Sequence, residues 1–451
     1  MQKLFLERAL LPEGWADDVL VRIRDGIITE VSLQAAAAGG VRQAGVTLPG
    51  MINLHSHAFQ RGMAGLAERA STGDDSFWTW RDVMYRFVDR LTPEDVQAIA
   101  TLAYVEMVEA GFTTCVEFHY LHHDPSGAPY ADIAEMAIRI ASAADMAGIG
   151  LTLLPSYYRW SNFAGAAPVP AQRRFINDPD QFAWLVQASA RVIDPLPGAV
   201  LGVAPHSLRA VAPDDLKFAV ELVPDGPVHI HAAEQEKEVA DCVAWSGQRP
   251  VEWLLDNMNL GPRWCIVHAT HMSADEIHRL AESRAVAGFC PITEADLGDG
   301  ICAATAYRQQ GGRFGVGTDS NIRISAVGEL CALEYGQRLV EQRRNLLADP
   351  GQSVGRALTD AALAGGAQAS GRAVGRIAPG YRADLVVLDT THPMLAGREG
   401  DVLLDSWIFA AGSSAVRDVW TSGAHVVREG RHIGRDLAAS GFTAAVRRLI
   451  A

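Results

Sequence analysis

The chain has 451 residues, 49% hydrophobic and 20% charged, with a formal net charge of −14. That length allows one large catalytic domain and a smaller one. The charge argues against a nucleic-acid or anionic-membrane partner, and no apolar run approaches the roughly 20 residues a membrane helix needs. An anionic small molecule stays open, because local arginines can oppose the global sign.

From the start, Gln2-Lys3-Leu4-Phe5-Leu6-Glu7 soon meets an acidic residue and lacks the layout of a signal peptide. A cytoplasmic protein is expected. The six cysteines (115, 242, 265, 290, 302, 331) include no CxxC and read as reduced core thiols. Leu4 to Leu10, Asp18 to Arg24 and Gly26 to Ser32 read as strands, with Asp25-Gly26 as a hairpin turn. The same texture returns at Ala383 to Asp389, Val416 to Thr421 and His425 to Arg428, with turns at Ser422-Gly423 and Glu429-Gly430. Two strand-rich ends around a different middle suggest one small β domain built from both termini, residues 1–49 and 372–451, with a C-terminal tail.

The middle, 50–371, alternates strands and helices. Eight strands are expected at 47–57, 112–119, 149–158, 199–208, 227–234, 264–271, 285–294 and 313–320. Helices are expected at 94–110, 131–147, 179–193, 213–222, 236–257 and 273–283, then at about 326–347 and 353–371. Eight β/α repeats point to a (β/α)8 TIM barrel with the β-sandwich beside it. The stretch 58–92 is too long for a plain βα loop and carries Trp78 and Trp80, which suggests a lid or a subunit contact. A homodimer is the expectation drawn from it.

A barrel of this kind carries function at the C-terminal ends of its strands. Those ends read His55 and His57, His119 and Tyr120, His206 and Arg209, His231 and Glu234, His268, Thr293 and Glu294, and Asp319. His55 and His57 share one face of a strand. With His231 and Asp319 they give three imidazoles and a carboxylate, a set that suits one divalent ion, Zn²⁺ first, with Fe²⁺, Co²⁺ or Mn²⁺ also compatible. Asp319 also suits a helix N-cap, and His229, one barrel layer below His231, suits a hydrogen-bonded core residue. His268 is placed to polarise a forming oxyanion or hold a water. Glu234, three residues after His231, is placed to carry a proton from water to a leaving nitrogen. Glu234, His268 and Asp319 are therefore the catalytic candidates.

Several absences narrow the chemistry. Lys3, Lys217 and Lys237 are the only lysines, and none falls at a strand tip to bridge a second metal. There is no His-x-Glu with Pro-Cys-x-x-Cys, the signature of the other zinc deaminase fold, and no Gly-x-Ser-x-Gly elbow.

The joint set of His-x-His, His-x-x-Glu, a histidine on the sixth strand and an aspartate on the eighth resembles the amidohydrolase superfamily, in its mononuclear deaminase branch. Within that branch, His55 to Gly62, Glu117 to His123, Ala204 to Ala210 and His229 to Gln235 look most like the formimidoylglutamate deiminase family of bacterial histidine degradation. The resemblance implies a metal-dependent hydrolase of a linear amidine, turning N-formimino-L-glutamate into N-formyl-L-glutamate and ammonia. A dicarboxylate amidine calls for arginine, hydroxyl and amide donors. Arg209, His206, Tyr120 and Gln60 are placed to supply them, with Arg81 a further candidate from this chain or a neighbouring subunit. His122 and His123 fall beyond the strand tip and read as structural or solvent-facing. A deaminase of the same branch acting on guanine or an adenosine derivative is the first alternative. A catalytically silent barrel used as a scaffold is the second.

Overall fold

Three two-residue turns mark the small domain, and each adopts the left-handed backbone that suits a tight hairpin. Asp25 and Gly26 have φ of 51° and 76°, Ser422 and Gly423 49° and 77°, and Glu429 and Gly430 49° and 78°. The computed structural model describes residues 2–34 and 40–451. Strands β1 (Gln2–Leu11), β2 (Gly14–Arg24), β3 (Ile27–Ser32) and β4 (Val41–Pro49) come from the N-terminal end.

The first barrel strand is β5 (Met51–Ser56). The chain then continues through β6 (Phe112–His119), β7 (Gly150–Tyr157), β8 (Val200–Leu201), β9 (Ala204–Pro205), β10 (Val228–Ala232), β11 (Trp264–His268), β12 (Val286–Phe289) and β13 (Arg313–Val316). Strands β14 (Leu385–Leu388), β15 (Val416–Thr421), β16 (Ala424–Arg428) and β17 (Arg431–His432) return to the small domain. Its sheet runs β17-β16-β15-β14-β4-β1-β2-β3. The sheet curls back on itself, since Ile28 N–H donates to Tyr381 O and Gly380 N–H to Ile28 O, both at 2.8 Å. Leu4, Leu6, Val19, Val21 and Ile28 from one half meet Leu385 and Trp420 from the other in a single apolar core.

The barrel strands pair in parallel from β5 through β13. Bridges Val203 to Val228 and Ser207 to His231 join β9 to β10, and Ser56 to Asp319 closes the ring. Every residue of β5, β6 and β10 is buried, as expected for parallel strands covered on both faces. The helix Val354–Ser370 underlies the barrel floor. Its Gly365 lets it touch β13, because a Cβ there would sit 1.9 Å from Phe314 O. Thr152 Oγ donates to Ser370 O at 2.8 Å, which ties the end of that helix to β7.

Four expectations need correcting. The run 47–57 breaks at Gly50, between a strand of the small sheet and one of the barrel; Gly50 packs on Thr113, with no room for a Cβ. The run 236–257 is two helices, Glu236–Ser246 and Pro250–Asn257, because Gly247 turns left-handed (φ 78°) and Pro250 restarts the chain. The strand at 285–294 ends at Phe289, and Pro291 starts a short helix to Leu297 that holds Thr293 and Glu294. The C-terminal end is not only sheet: Arg435–Ile450 is a helix that packs on the barrel helix Pro93–Glu109, where Arg435 pairs with Glu109 (2.9 Å) and Arg448 with Asp95. Among the described residues no helix is long and apolar enough to cross a membrane.

Candidate metal centre and substrate cavity

The C-terminal tips of β5, β10 and β13 meet at one point. His55 Nε2 and His57 Nε2 each lie 3.3 Å from Asp319 Oδ1, and His231 Nε2 lies 3.1 Å from His55 Nε2. One donor atom from each of the four falls within 4.8 Å of the others. The backbone explains the convergence. The two histidines of β5 alternate around Ser56 on a strand of period two. Asp319 N–H donates to His55 O, and His57 N–H donates to Asp319 O, both at 2.9 Å. Below them Asn321 Nδ2 donates to Ser56 Oγ (3.1 Å) and His57 O (3.2 Å), while Asn53 and Thr318 bond to each other. Asp319 itself has φ 43°, a strained backbone held by these bonds.

The electrostatics suit a cation. Burial pushes the His55 imidazole down to about 3 and lowers His57 and His231 as well, so all three rings are neutral. His57 Nδ1 sits 2.8 Å from Phe118 O and His231 Nδ1 2.9 Å from His206 O, which assigns the proton to Nδ1 and the lone pair to Nε2. Burial opposes ionisation of Asp319, but His55, His57 and His268 together outweigh it and hold the carboxyl well below the usual range. Neutral lone pairs and one carboxylate crowd a single point, and three imidazoles with a carboxylate are a fitting donor set for one divalent ion with a position left over.

Beside this cluster lies a second layer of charge. His268 ends β11 with φ 68°, and its Nε2 is 3.7 Å from Glu234 Oε1 and 4.0 Å from Asp319 Oδ2. Glu234 is buried, and burial raises its pKa; His268 and Arg209 oppose that rise without cancelling it. Burial disfavours a charged His268, yet the Glu234, Glu294 and Asp319 carboxylates outweigh it and raise its pKa. Arg209 reaches Glu234 at 3.6 Å and Glu238 at 3.9 Å.

Ten of the candidate site residues border one cavity, and His55 lies directly behind it. His57, Gln60, Arg81, Tyr120, His206, Arg209, His231, Glu234, His268 and Asp319 line it. Gln60 Nε2 donates to Tyr120 Oη at 2.7 Å. Arg81 of this same chain stacks over Trp78 (4.5 Å) and Tyr85 (5.6 Å) and faces the cavity. The Trp-rich stretch contains the helix Phe77–Val88, started by the Ser76 capping box, and Phe77, Trp80 and Met84 cover the chamber like a lid.

His119 is buried, does not line the cavity and packs its ring edge-on against His122 at 5.3 Å. His122 and His123 are buried and bond to the carbonyls of Ser156 and Ile176, at 2.9 and 2.8 Å, so neither faces solvent. His229 Nε2 bonds Ala369 O at 2.9 Å as a core residue. Two buried acids were not singled out for a role: Glu117, whose Oε1 accepts from Ala58 N–H at 2.7 Å directly after His57, and Asp299, which lies near Glu234 and His268. A charged residue inside the apolar run 112–118 was the available signal for Glu117. Asp299 sits on a loop whose path the sequence does not reveal.

Comparison with known proteins agrees with this geometry. The amidohydrolase family matches residues 46–426, and the N-terminal domain of formimidoylglutamate deiminase HutF matches residues 1–45. A formimidoylglutamate deiminase of Pseudomonas aeruginosa is 52% identical over the whole of both chains. An 8-oxoguanine deaminase of the same organism is 28% identical, covering 87% of this chain and 85% of the relative. The crystal structure of an amidohydrolase from Brucella melitensis superposes with a TM-score of 0.96 at 52% identity over both full chains.

Proposed function

The chain belongs to the amidohydrolase family, alongside the formimidoylglutamate deiminases, and from that premise we propose that it hydrolyses N-formimino-L-glutamate to N-formyl-L-glutamate and ammonia. The observation that carries this reading is the pair of guanidiniums, Arg81 and Arg209, lining one cavity above the four-ligand cluster in a chain of net charge −14. Two carboxylates on the substrate match two planar cations. Tyr120, Gln60 and His206 add hydroxyl, amide and imidazole donors to the same wall.

His55, His57, His231 and Asp319 are the residues that hold the metal, one ion per chain, with Zn²⁺ the proposed identity. Such an ion supplies a Lewis acid that acidifies water near neutral pH. Glu234 takes one proton of the attacking water and passes it to the imine nitrogen, which becomes an amine; the remaining hydroxyl proton then moves through Glu234 to that amine as the C=O bond forms, the C–N bond breaks and ammonia departs. Its raised pKa suits a group that must both accept and return a proton. His268 Nε2 faces the same point and stabilises the charge that develops there. Asp319 is the second carboxylate that would orient the water. Arg209, beside Glu234, couples substrate binding to the position of the base. Residues 1–49 with 372–451 are proposed as the β domain and 50–371 as the catalytic barrel.

A cytoplasmic homodimer completes the proposal. The likeness to a formimidoylglutamate deiminase, a metabolic enzyme, supports the compartment. The exposed Tyr335, Leu339 and Val340 on the helix Ala326–Glu341 support self-association. A rate comparison tests the substrate reading. N-formimino-L-glutamate is expected to release ammonia with a far higher kcat/KM than guanine, 8-oxoguanine or adenosine. Preference for any purine overturns it.

A further inference from the structure

His268 needs more than its backbone to be useful. Its left-handed φ fixes where Cβ points, but not which ring nitrogen faces the cavity. A half-turn about the Cβ–Cγ bond exchanges the two edges of the ring. The partner on the far side decides the matter. Glu294 Oε1 lies 3.3 Å from His268 Nδ1, and the same oxygen accepts the Cys290 N–H at 2.8 Å. Glu294 is 3% exposed and does not line the substrate cavity.

We propose that Glu294 is a positioning residue for the deimination: it takes the Nδ1–H of His268 and so directs Nε2 at the point between Glu234 and Asp319. This rests on the function proposed above. The short helix Pro291–Leu297 is the device. Pro291 starts it immediately after β12, and its first turn carries the carboxylate back under β11. A carboxylate–imidazole contact of this kind fixes the ring orientation. With Nδ1 occupied, Nε2 is the atom 3.7 Å from Glu234 and 4.0 Å from Asp319. The competing explanation is that Glu294 merely anchors its own helix. Glu329 offers the control, because its Oε2 accepts the Ile292 N–H of that helix at 3.0 Å without touching His268.

The test compares Glu294→Ala, Glu294→Gln and Glu329→Gln, each checked for metal content and Tm. Glu294→Ala is expected to lose about 10–100-fold in kcat, with KM and metal content close to wild type. Glu294→Gln keeps a carbonyl acceptor of the same length, so it is expected to recover part of that loss, and it remains informative if the alanine variant folds poorly. Glu329→Gln keeps an acceptor for the Ile292 N–H and is expected to keep both kcat and Tm close to wild type. A second readout does not depend on turnover. In ¹⁵N-histidine-labelled protein, the His268 Nδ1 signal, identified by its loss in His268→Asn, is expected to shift in both Glu294 variants. Unchanged kcat or an unchanged His268 signal in Glu294→Ala overturns the proposal. So does an equal kcat loss in Glu329→Gln. If the wild type releases no ammonia from N-formimino-L-glutamate, the functional reading fails, while the ¹⁵N signal still decides the Glu294 contact.

Discussion

Glu234→Gln is the sharpest perturbation of the proposed chemistry. The substitution is isosteric, so the side chain still fills its buried position. It removes the proton acceptor and leaves Arg209 and His268 without one neighbouring carboxylate. Both keep others: Arg209 has Glu238 at 3.9 Å, and His268 has Glu294 at 3.3 Å and Asp319 at 4.0 Å. The fold and the four metal ligands therefore stay in place, and the loss falls on proton transfer. A general base contributes about 10²–10⁴-fold, which at about 1.4 kcal/mol per decade is about 3–5 kcal/mol on the barrier. The assay is ammonia release at saturating N-formimino-L-glutamate, with metal measured on the same samples. A variant with full metal content and near-normal kcat refutes the role given to Glu234.

The remaining predictions address the other parts of the site. Arg209 opposes the raised pKa of Glu234, so Arg209→Met raises that pKa further. The base works only when deprotonated, so the acid limb of the kcat/KM profile moves to higher pH, and KM rises as well; an unmoved limb counts against the pairing. His231→Ala removes one ligand and an Nδ1 contact to His206 O, and is expected to abolish metal retention after dialysis; full retention contradicts the ligand assignment. Gly365→Ala places a Cβ against Phe314 O, and overpacking of this kind costs about 1–3 kcal/mol or more. Thermal unfolding is expected to show a clear drop in Tm, and no drop means the barrel floor yields more easily than its packing suggests.

The barrel was legible because parallel buried strands leave a strong apolar signature with titratable residues at their ends. His55, His57, His231 and Asp319 all fall where such strands stop, so spacing along the chain translated directly into proximity. Hairpin turns were equally plain, since Asp25-Gly26, Ser422-Gly423 and Glu429-Gly430 need positive φ. The breaks were harder. Gly50 divides one apolar run between two domains, and nothing local distinguishes it from a glycine inside a strand. Glu294 reads as a strand tip because it ends a mostly apolar run, whereas Pro291 stops the strand and starts a helix within that run. The C-terminal helix Arg435–Ile450 buries little of its own, only Ala438, Ala445 and Leu449, whereas the lid helix Phe77–Val88 has an apolar face of Phe77, Met84, Tyr85, Phe87 and Val88 whose target the sequence does not name. The lid helix is started by the local cap at Ser76, and the C-terminal helix is held by ion pairs to Glu106, Glu109 and Asp95, contacts made across the fold. The position of Arg81 depends on the lid and is legible only once that helix is folded back over the cavity.

Zinc titration of the metal-free protein, followed by ammonia release from N-formimino-L-glutamate, tests the central claim most directly. Turnover is expected to rise linearly and break at one equivalent per chain. No turnover at any zinc level, or a break at two equivalents, contradicts a single-metal deiminase.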